Sequence, residues 1–244
     1  MSENPVPEIS IIAPLHNEGP NVFPLVEQVF AAFRNEAREI ELVLVDDAST
    51  DDTWEQISKA RRNHPRLRGV RHPRQSGQSA ALWTGFKSSR GKLIGTLDGD
   101  LQNDPADLPR LLGELTNSDL VCGVRTKRMD TPLRRISSSI ARKARKAMLG
   151  VDFKDTGCNL RAFKRPVLEL IPPFNGFHRF MPILANGGGA VVKEIPVSHR
   201  PRTAGTSKYG VWNRLGRGIY DLLMVRWYCK RQLKAINSKE LDAA

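Results

Sequence analysis

The sequence predicts an α/β fold in which a mostly parallel β-sheet is flanked by helices and followed by a C-terminal amphipathic helical segment. Two observations lead to this prediction. Short apolar runs alternate with longer amphipathic stretches through the first half of the chain, which is the pattern of βαβ crossovers. In addition, 244 residues with 40% hydrophobic content are enough to build one compact domain with a sizeable core.

The apolar runs and amphipathic stretches of the first half predict the elements in order. Strands are expected at 9–13, 41–45, 67–71, 93–97 and 120–124. Helices are expected at 21–38, 53–63, 79–89 and 107–115. A further strand is expected at 191–197, after a segment punctuated by proline and glycine. Since ligands of such sheets bind beyond the carboxyl ends of the strands, functional residues are expected directly after the apolar runs.

The chain is basic, with 38 lysine and arginine residues against 26 aspartate and glutamate residues and a formal net charge of +12. This excess favours an anionic partner, which charge alone leaves open between nucleic acid, an acidic membrane and a phosphorylated substrate. A nucleic-acid-binding module would interleave aromatic residues with its cations, but aromatic content is only 7%. We therefore expect no nucleic-acid partner.

Cysteine usage and hydropathy bear on the compartment. Cys122, Cys158 and Cys229 are widely spaced and form no CxxC pair, so neither a disulfide framework nor a zinc site is indicated. No stretch approaches the ~18 consecutive apolar residues that a membrane span needs. We expect a cytoplasmic protein whose contact with a membrane is peripheral or provided by a partner.

The most informative motif follows the fourth predicted strand, where Asp98 and Asp100 flank a glycine. Two carboxylates in one tight turn can converge on a hard divalent cation, which prefers oxygen ligands. Such a metal would neutralise a diphosphate leaving group as a Lewis acid. The alternative is a solvated acidic turn, but the position directly after an apolar run favours the metal.

A second acidic pair, Asp46 and Asp47, ends the second predicted strand. Capping of the next helix explains Asp51 or Asp52, but it does not explain two adjacent acids at the end of a strand. These two side chains suit hydrogen bonds to a nucleoside base or ribose.

Three segments occur in order along the chain: ISIIAPLHNE, LVLVDDASTD and GTLDGDLQNDP. On these segments the chain resembles the family-2 glycosyltransferases of the GT-A fold, and in particular the polyprenyl-phosphate sugar synthases, which include dolichyl-phosphate mannosyltransferase and undecaprenyl-phosphate glycosyltransferases. The resemblance covers nearly the whole chain. It implies a catalytic domain over 1–210, with a nucleotide-sugar half at 1–124 and an acceptor half at 125–210, and an appendage over 211–244.

The resemblance also implies roles on the donor side. The residues expected to bind the nucleotide sugar are Pro14, His16, Asn17, Glu18, Asp46, Asp47, Gln78, Asp98, Ser207 and Lys208. A metal cofactor, Mg²⁺ or Mn²⁺, is expected on Asp98, Asp100 and Gln102, in keeping with the DxDxQ pattern of the lipid-phosphate group. The chain departs from the family at His16, where many relatives have tyrosine, and at Gln78, where many have lysine.

On the acceptor side the resemblance implies that arginines hold a lipid phosphate. The arginines expected there are Arg125, Arg134, Arg135, Arg179 and Arg202. A phosphate is already ionised at neutral pH, so it attacks without a general base, and arginine holds it through planar bidentate contacts.

Two further segments of the second half match elements of the family. The loop RTAGTSKY matches the RxxGxSKY element, which brings Arg202 and Lys208 into the expected catalytic set with Asp98, Asp100 and Arg125. Relatives that glycosylate sugar hydroxyls place a catalytic acid in the stretch 177–182, where this chain offers His178 and Arg179 instead. His178 has the alternative of being a packed histidine.

The segment 211–233 has apolar residues at spacings of three and four, with most of its cations elsewhere, which predicts an amphipathic basic helix. Such a helix suits the headgroup region of an anionic membrane. The alternative is packing on the sheet or in a homo-oligomer. Related enzymes often carry C-terminal membrane helices, and their absence here implies surface binding or a separate membrane subunit.

Taken together, these features predict an inverting transferase working by direct displacement. It would move a hexose such as glucose or mannose from a UDP- or GDP-sugar to an undecaprenyl or dolichyl phosphate on the cytosolic face of a membrane. The alternative is a family-2 glycosyltransferase that acts on a sugar hydroxyl in the synthesis of surface polysaccharide and needs a base near its acceptor.

Overall fold

A computed structural model of the chain describes residues 6–126, 142–143, 145–200 and 212–232, with the side chains of the last range described from Tyr220 onward. The strands are β1 (Ile9–Leu15), β2 (Ile40–Asp46), β3 (Leu67–Arg71), β4 (Leu93–Thr96), β5 (Leu120–Arg125), β6 (Arg161–Lys164) and β7 (Val192–Val197). The helices are α1 (Gly19–Ala32), α2 (Thr53–Asn63), α3 (Gln78–Ser88), α4 (Leu108–Gly113), α5 (Met181–Gly187) and α6 (Trp212–Arg231). Short 3₁₀ turns cover Pro105–Asp107, Glu114–Thr116, Arg165–Leu170 and Phe177–Arg179.

The described strands form one sheet in the order β3-β2-β1-β4-β6-β5-β7. All neighbouring pairs are parallel except the two that involve β6. The register pairs Leu15 with Asp46 and Asp46 with Arg71, so the ends of β1, β2 and β3 are level. Because β6 runs the other way, its first residue, Arg161, pairs with Thr96 at the end of β4. The carboxyl ends of the parallel strands and the start of β6 therefore share one edge.

The sheet buries both of its faces, which explains why its strands read as nearly continuous apolar runs. On β1, Ile11 belongs to one core cluster and Ile12 to the other. Helices α1, α2 and α4 cover the first face, and α3 and α5 cover the second. The predicted α/β architecture is confirmed, and the antiparallel strand β6 is an element that the sequence pattern did not predict.

From Tyr220 onward, where its side chains are described, helix α6 carries apolar residues on two sides. Leu222 and Val225 are buried in the second core cluster, whereas Tyr220, Leu223 and Trp227 are exposed by 69%, 53% and 60%. The helix is therefore anchored to the sheet layer by one face and presents the other outward. Within the described residues no helix combines the length and the apolar character needed to cross a bilayer.

A close backbone approach at Gly91 gives a test of this packing. A Cβ atom there would lie 2.7 Å from the backbone nitrogen of Ser10 and 2.8 Å from the carbonyl carbon of Ile9, and β1 is paired on both sides. We expect Gly91→Ala to lower the free energy of unfolding by about 1–3 kcal/mol, measured by urea denaturation. Gly113→Ala is the control, since nothing lies within 4 Å of that position. Equal stability of the two variants would contradict the packing.

Candidate active site

Two loops at the edge of the sheet are tied to each other by short polar contacts. The loop after β1 carries Asn17, whose backbone N–H donates to Ser49 Oγ at 2.9 Å and whose Oδ1 accepts from the backbone N–H of Thr50 at 2.8 Å. Asn17 has φ 55°, a left-handed conformation that asparagine tolerates better than most residues. The backbone N–H of Glu18 donates to Thr53 Oγ1 at 2.9 Å. These contacts fix the loop after β1 against the loop after β2.

Asp47 is saturated by the protein itself. Its Oδ1 accepts from the backbone N–H of Ser76 and lies 2.8 Å from His72 Nδ1, and its Oδ2 accepts from the backbone N–H of Gly77 at 2.7 Å. The side chain is 5% exposed. Asp47 therefore holds the loop that leads into α3. The sequence pattern predicted a contact with the nucleotide for this residue and did not indicate this structural role.

Asp46 is fully buried and faces Arg71. Its Oδ2 lies 3.0 Å from Arg71 Nε, and its Oδ1 accepts from the backbone N–H of Ser49. Arg71 also donates to the Ser49 carbonyl oxygen and lies over the ring of Trp54. Asp46, predicted to bind the nucleotide sugar, is thus buried behind Arg71 and positions its guanidinium. Arg71 was not among the residues predicted from the sequence.

An open cleft of about 520 Å³ lies beside this pair, lined by Ala48, Ser49, Arg71, His72 and Pro73. Its walls are the ends of β2 and β3. His16 borders the same region, since its Nδ1 lies 2.9 Å from the Asp47 carbonyl oxygen. Pro14 lies on β1 opposite Val45. The cleft is thus lined in part by residues that directly follow the predicted residues Asp46 and Asp47, rather than by those residues themselves.

Asp98 and Asp100 lie together beyond β4. Desolvation and the like charge of Asp100 raise the pKa of Asp98 to about 6. Gln78 Nε2 and Asn159 Nδ2 both donate to Asp98 Oδ1, at 2.9 and 3.2 Å, and no donor among the described residues reaches Oδ2. Leu101 follows with φ 61°, which makes the turn tight. A carboxylate pair of this kind is stabilised by a cation.

Gln102, the third predicted metal ligand, is held by the segment that follows β7. Its backbone carbonyl accepts from the backbone N–H of Arg200, and its Nε2 donates to the Arg200 carbonyl oxygen at 3.4 Å. The amide oxygen is therefore the end left to act as a ligand. Among the described residues no group of three or more His, Cys, Asp or Glu side chains is arranged to hold a metal, so a cation here would rest on two carboxylates, an amide and ligand oxygens. This donor set suits Mg²⁺ or Mn²⁺.

Arg125, at the end of β5, forms a bidentate pair with Asp155. Its Nε donates to Asp155 Oδ2 at 2.7 Å and its Nη2 to Oδ1 at 2.8 Å. Although desolvation acts to lower it, the hydrogen bonds and charge of Asp155 raise the pKa of Arg125. The charge of Arg125 in turn lowers the pKa of Asp98. The pair leaves Nη1 as the nitrogen of Arg125 that can bind another anion.

The remaining predicted acceptor residues have different outcomes. Arg179 donates to Asp221 Oδ2 of α6 at 2.8 Å, so it ties the acceptor half to the last helix. Five predicted residues lie outside the described residues: Arg134, Arg135, Arg202, Ser207 and Lys208.

Arg161 is a buried cation that the sequence analysis missed. It is 1% exposed, and its Nη1 and Nη2 donate to the carbonyl oxygens of His178 and Thr156. Within the described residues it makes no ion pair, and its charge lowers the pKa of Asp98. A buried guanidinium without a carboxylate is costly, so its field is best matched by the acidic pair nearby.

Comparison with known proteins identifies the family. A family model described as Glycosyl transferase family 2 matches residues 10–171. The chain belongs to this family. It is therefore a glycosyltransferase, and the resemblance drawn from the three motif segments is confirmed.

Relatives match most of the chain. The dodecaprenyl-phosphate galacturonate synthase of Rhizobium johnstonii is 39% identical over 229 residues, which covers 91% of this chain and 68% of the relative. The undecaprenyl-phosphate 4-deoxy-4-formamido-L-arabinose transferase of Shewanella sediminis is 38% identical over 217 residues, covering 88% of this chain and 65% of the relative. The chain thus spans about two thirds of the length of these relatives.

Solved structures match the fold. Glucosyl-3-phosphoglycerate synthase from Mycobacterium tuberculosis, in complex with Mn²⁺, uridine diphosphate and glucosyl-3-phosphoglycerate, aligns with a TM-score of 0.66 at 19% identity. The alignment covers 91% of this chain and 80% of that chain. The same synthase with Mg²⁺ and uridine diphosphate gives a TM-score of 0.65 at 20% identity, covering 90% of this chain and 79% of that chain. The predicted GT-A fold is confirmed.

The contacts of Asp47 give a test of its structural role. In Asp47→Asn an amide NH₂ replaces an oxygen that accepts from a backbone N–H, so we expect the free energy of unfolding to fall by about 1–3 kcal/mol. The loop should also open, which we expect to speed tryptic cleavage after the exposed Arg74. Asp52→Asn, which changes a carboxylate bonded to the side chain of Gln56, is the control. Unchanged cleavage in Asp47→Asn would show that the loop does not depend on this carboxylate.

Proposed function

We propose that this chain is a metal-dependent inverting glycosyltransferase that moves a sugar from a nucleoside diphosphate to a polyprenyl phosphate. The observation that carries the proposal is the acidic pair at the end of β4, which lies within the electrostatic reach of Arg125 at the end of β5. The acidic pair suits a metal and a leaving diphosphate, and Arg125 suits an acceptor phosphate. The names of the relatives, which act on dodecaprenyl and undecaprenyl phosphate, support the acceptor.

On the donor side, the cleft beside Arg71 and His72 is the proposed place of the nucleoside. Pro14, at the end of β1, and His16, Asn17 and Glu18 after it are proposed to contact the nucleotide sugar, and Asp46 sets the position of Arg71. Asp47 acts by holding the loop before α3, which carries Gln78 to Asp98. UDP is the favoured nucleotide, because the structural neighbours bind it.

Asp98, Asp100 and Gln102 are the proposed ligands of the divalent cation. When bound, the cation supplies Lewis-acid stabilisation to the departing diphosphate. The chain's own contribution is to hold two carboxylates side by side, with Gln78 and Asn159 donating to Asp98. Burial and the like charge of Asp100 raise the pKa of Asp98, and the like charge also raises the affinity of the pair for a cation.

On the acceptor side, Arg125 is the proposed contact of the lipid phosphate. Asp155 holds its guanidinium in a fixed plane, so Nη1, which bonds to no described residue, is proposed to position an anionic oxygen for attack on the anomeric carbon. Catalysis of this kind rests on orientation and electrostatics rather than on proton removal. Arg134, Arg135, Arg202, Ser207 and Lys208 stay predictions for further donors to the two anions.

The alternative of a sugar hydroxyl acceptor requires a general base. The acceptor side offers Asp155 and His178 among its described side chains, but Asp155 is engaged by both nitrogens of the Arg125 fork. Burial and the charges of Arg161 and Arg179 lower the pKa of His178 to about 3, so its ring is a poor base. These features favour an acceptor that is already ionised.

We place the reaction at the cytosolic surface of an anionic membrane. The exposed face of α6 presents Tyr220, Leu223 and Trp227 beside the cations Lys230 and Arg231, a combination that suits the headgroup region. The catalytic domain is proposed to span 1–210 and the membrane-facing appendage 211–244. A separate membrane subunit or a homo-oligomer is the alternative partner of the same face.

A transfer assay tests the function directly. Purified protein with Mn²⁺ or Mg²⁺, labelled UDP- and GDP-sugars and undecaprenyl phosphate in detergent is expected to move label into the organic phase, and EDTA should abolish this. Asp100→Asn should lose at least about 100-fold in turnover at every metal concentration, because one ligand charge is gone. Glu55→Gln, which changes an exposed acid on α2, is the control. Full activity of Asp100→Asn would refute the metal site, and binding of a nucleotide sugar by the wild type without any lipid product would favour the alternative acceptor.

The role of Arg125 is separable from that of the donor site. Arg125→Lys keeps a positive charge but loses the fork, so we expect KM for the lipid phosphate to rise by about 10- to 100-fold. The KM for the nucleotide sugar should change by less than about 3-fold. Steady-state kinetics with each substrate varied in turn measures both. A larger effect on the nucleotide sugar would mean that Arg125 serves the donor.

A further inference from the structure

His178 is held by a serine of another element. It lies in the 3₁₀ turn Phe177–Arg179, against the first turn of α3. Ser79 Oγ lies 2.8 Å from His178 Nδ1 and accepts from the backbone N–H of Gly176 at 2.8 Å. Ser79 itself is 5% exposed. The serine therefore fixes both the imidazole and the backbone two residues before it.

These contacts determine the tautomer of the ring. A serine hydroxyl has one proton to donate, and within the described residues His178 Nδ1 is the only acceptor that Ser79 Oγ reaches. If Nδ1 carried a proton instead, the buried hydroxyl would be left without an acceptor. The network thus assigns Nδ1 as an acceptor and puts the ring proton on Nε2. No described residue bonds to Nε2.

The surroundings keep the ring neutral. Burial, then the charges of Arg161 and Arg179, lower the pKa of His178 to about 3. With Nδ1 occupied and the ring uncharged, the imidazole can donate one hydrogen bond through Nε2 and cannot take up a proton near neutral pH. The ring is therefore a donor of fixed direction.

Two chains of contacts link His178 to the acidic pair. Ser79 directly follows Gln78, whose side chain donates to Asp98. Arg161 donates to the His178 carbonyl oxygen, and its charge lowers the pKa of Asp98. His178 is therefore joined to the acidic pair through the first turn of α3 and through one buried arginine.

We propose that His178, oriented by Ser79, donates its Nε2–H to an oxygen of the acceptor phosphate. This inference rests on the proposed function and adds a residue to it. Beside its pair with Asp155, Arg125 has one nitrogen that bonds to no described residue, whereas a phosphate has three oxygens that need donors. A further cation would neutralise part of the charge of the phosphate and weaken it as a nucleophile. A neutral hydrogen-bond donor orients the phosphate without this loss.

Kinetics separates this role from the donor site. His178→Phe keeps the ring shape and removes the donor, so we expect KM for polyprenyl phosphate to rise about 10-fold, as for the loss of one hydrogen bond to a charged group. The KM for the nucleotide sugar should stay within about 2-fold, and His178→Gln should recover part of the loss. His64→Phe, a change in a histidine that stacks on Phe30, is the matched control. An equal rise in both KM values, or no change, overturns the proposal.

Ser79 is a positioning residue, and NMR reads its effect without turnover. Spectra of ¹⁵N-histidine-labelled protein, assigned by comparison with His178→Phe, are expected to show the Nε2–H tautomer of His178 with no titration between about pH 5.5 and 8. Ser79→Ala should mix the tautomers and Ser79→Thr should restore one. A titration in that range, or an Nδ1–H form in the wild type, overturns the assignment.

A binding measurement distinguishes failure of this inference from failure of the proposed function. Farnesyl phosphate added to the wild-type protein is expected to shift the His178 Nε2–H signal, and UDP with Mg²⁺ alone is not. If the wild type makes lipid product but shows no such shift and His178→Phe is fully active, the inference fails and the function stands. If the wild type makes no lipid product, a shift with farnesyl phosphate still supports the contact, and its absence rejects it.

Discussion

Asp98 and Asp100 lie side by side although their charges repel each other. The polar and charged groups around them offset that repulsion. Gln78 donates to Asp98 from the start of α3 and Asn159 from the loop before β6, while the positive charges of Arg125 and Arg161 lower the pKa of Asp98 against the effect of burial. These groups come from the start of α3, the end of β5 and the start of β6. The parallel register of the sheet brings them to one edge, so the acidic pair depends on the whole fold and not on its own turn alone.

The first turn of α3 connects the parts of this edge. Asp47 holds the backbone of Ser76 and Gly77 just before the helix, Gln78 reaches the acidic pair, and Ser79 reaches His178. The loop and the first two helical residues therefore join the end of β2, the end of β4 and the turn before α5. Displacement of this short segment would disturb the donor and acceptor sides together.

The strands and the acidic strand ends were predictable because both leave local patterns: apolar runs of fixed length, followed by carboxylates. The short strand β6 has no such pattern, and so the buried Arg161 at its start was missed. The pairs Arg125–Asp155 and Arg179–Asp221 join residues 30 and 42 positions apart, and no spacing rule finds them. The sequence shows that an acidic residue ends a strand, but it does not show whether the carboxylate faces a ligand or a backbone amide. Asp47, which accepts from two backbone amides, illustrates this.

Helix α6 is clamped from within by Leu222 and Val225 and by the pair between Asp221 and Arg179. A helix gripped on its inner side shows its outer residues, Tyr220, Leu223 and Trp227, at a set angle to the sheet. Any surface that binds those three side chains is therefore held at one angle and one distance relative to the carboxyl ends of the strands. Binding of the helix to a surface would therefore fix the distance and the orientation of the active site relative to that surface, even though the binding itself is unspecific.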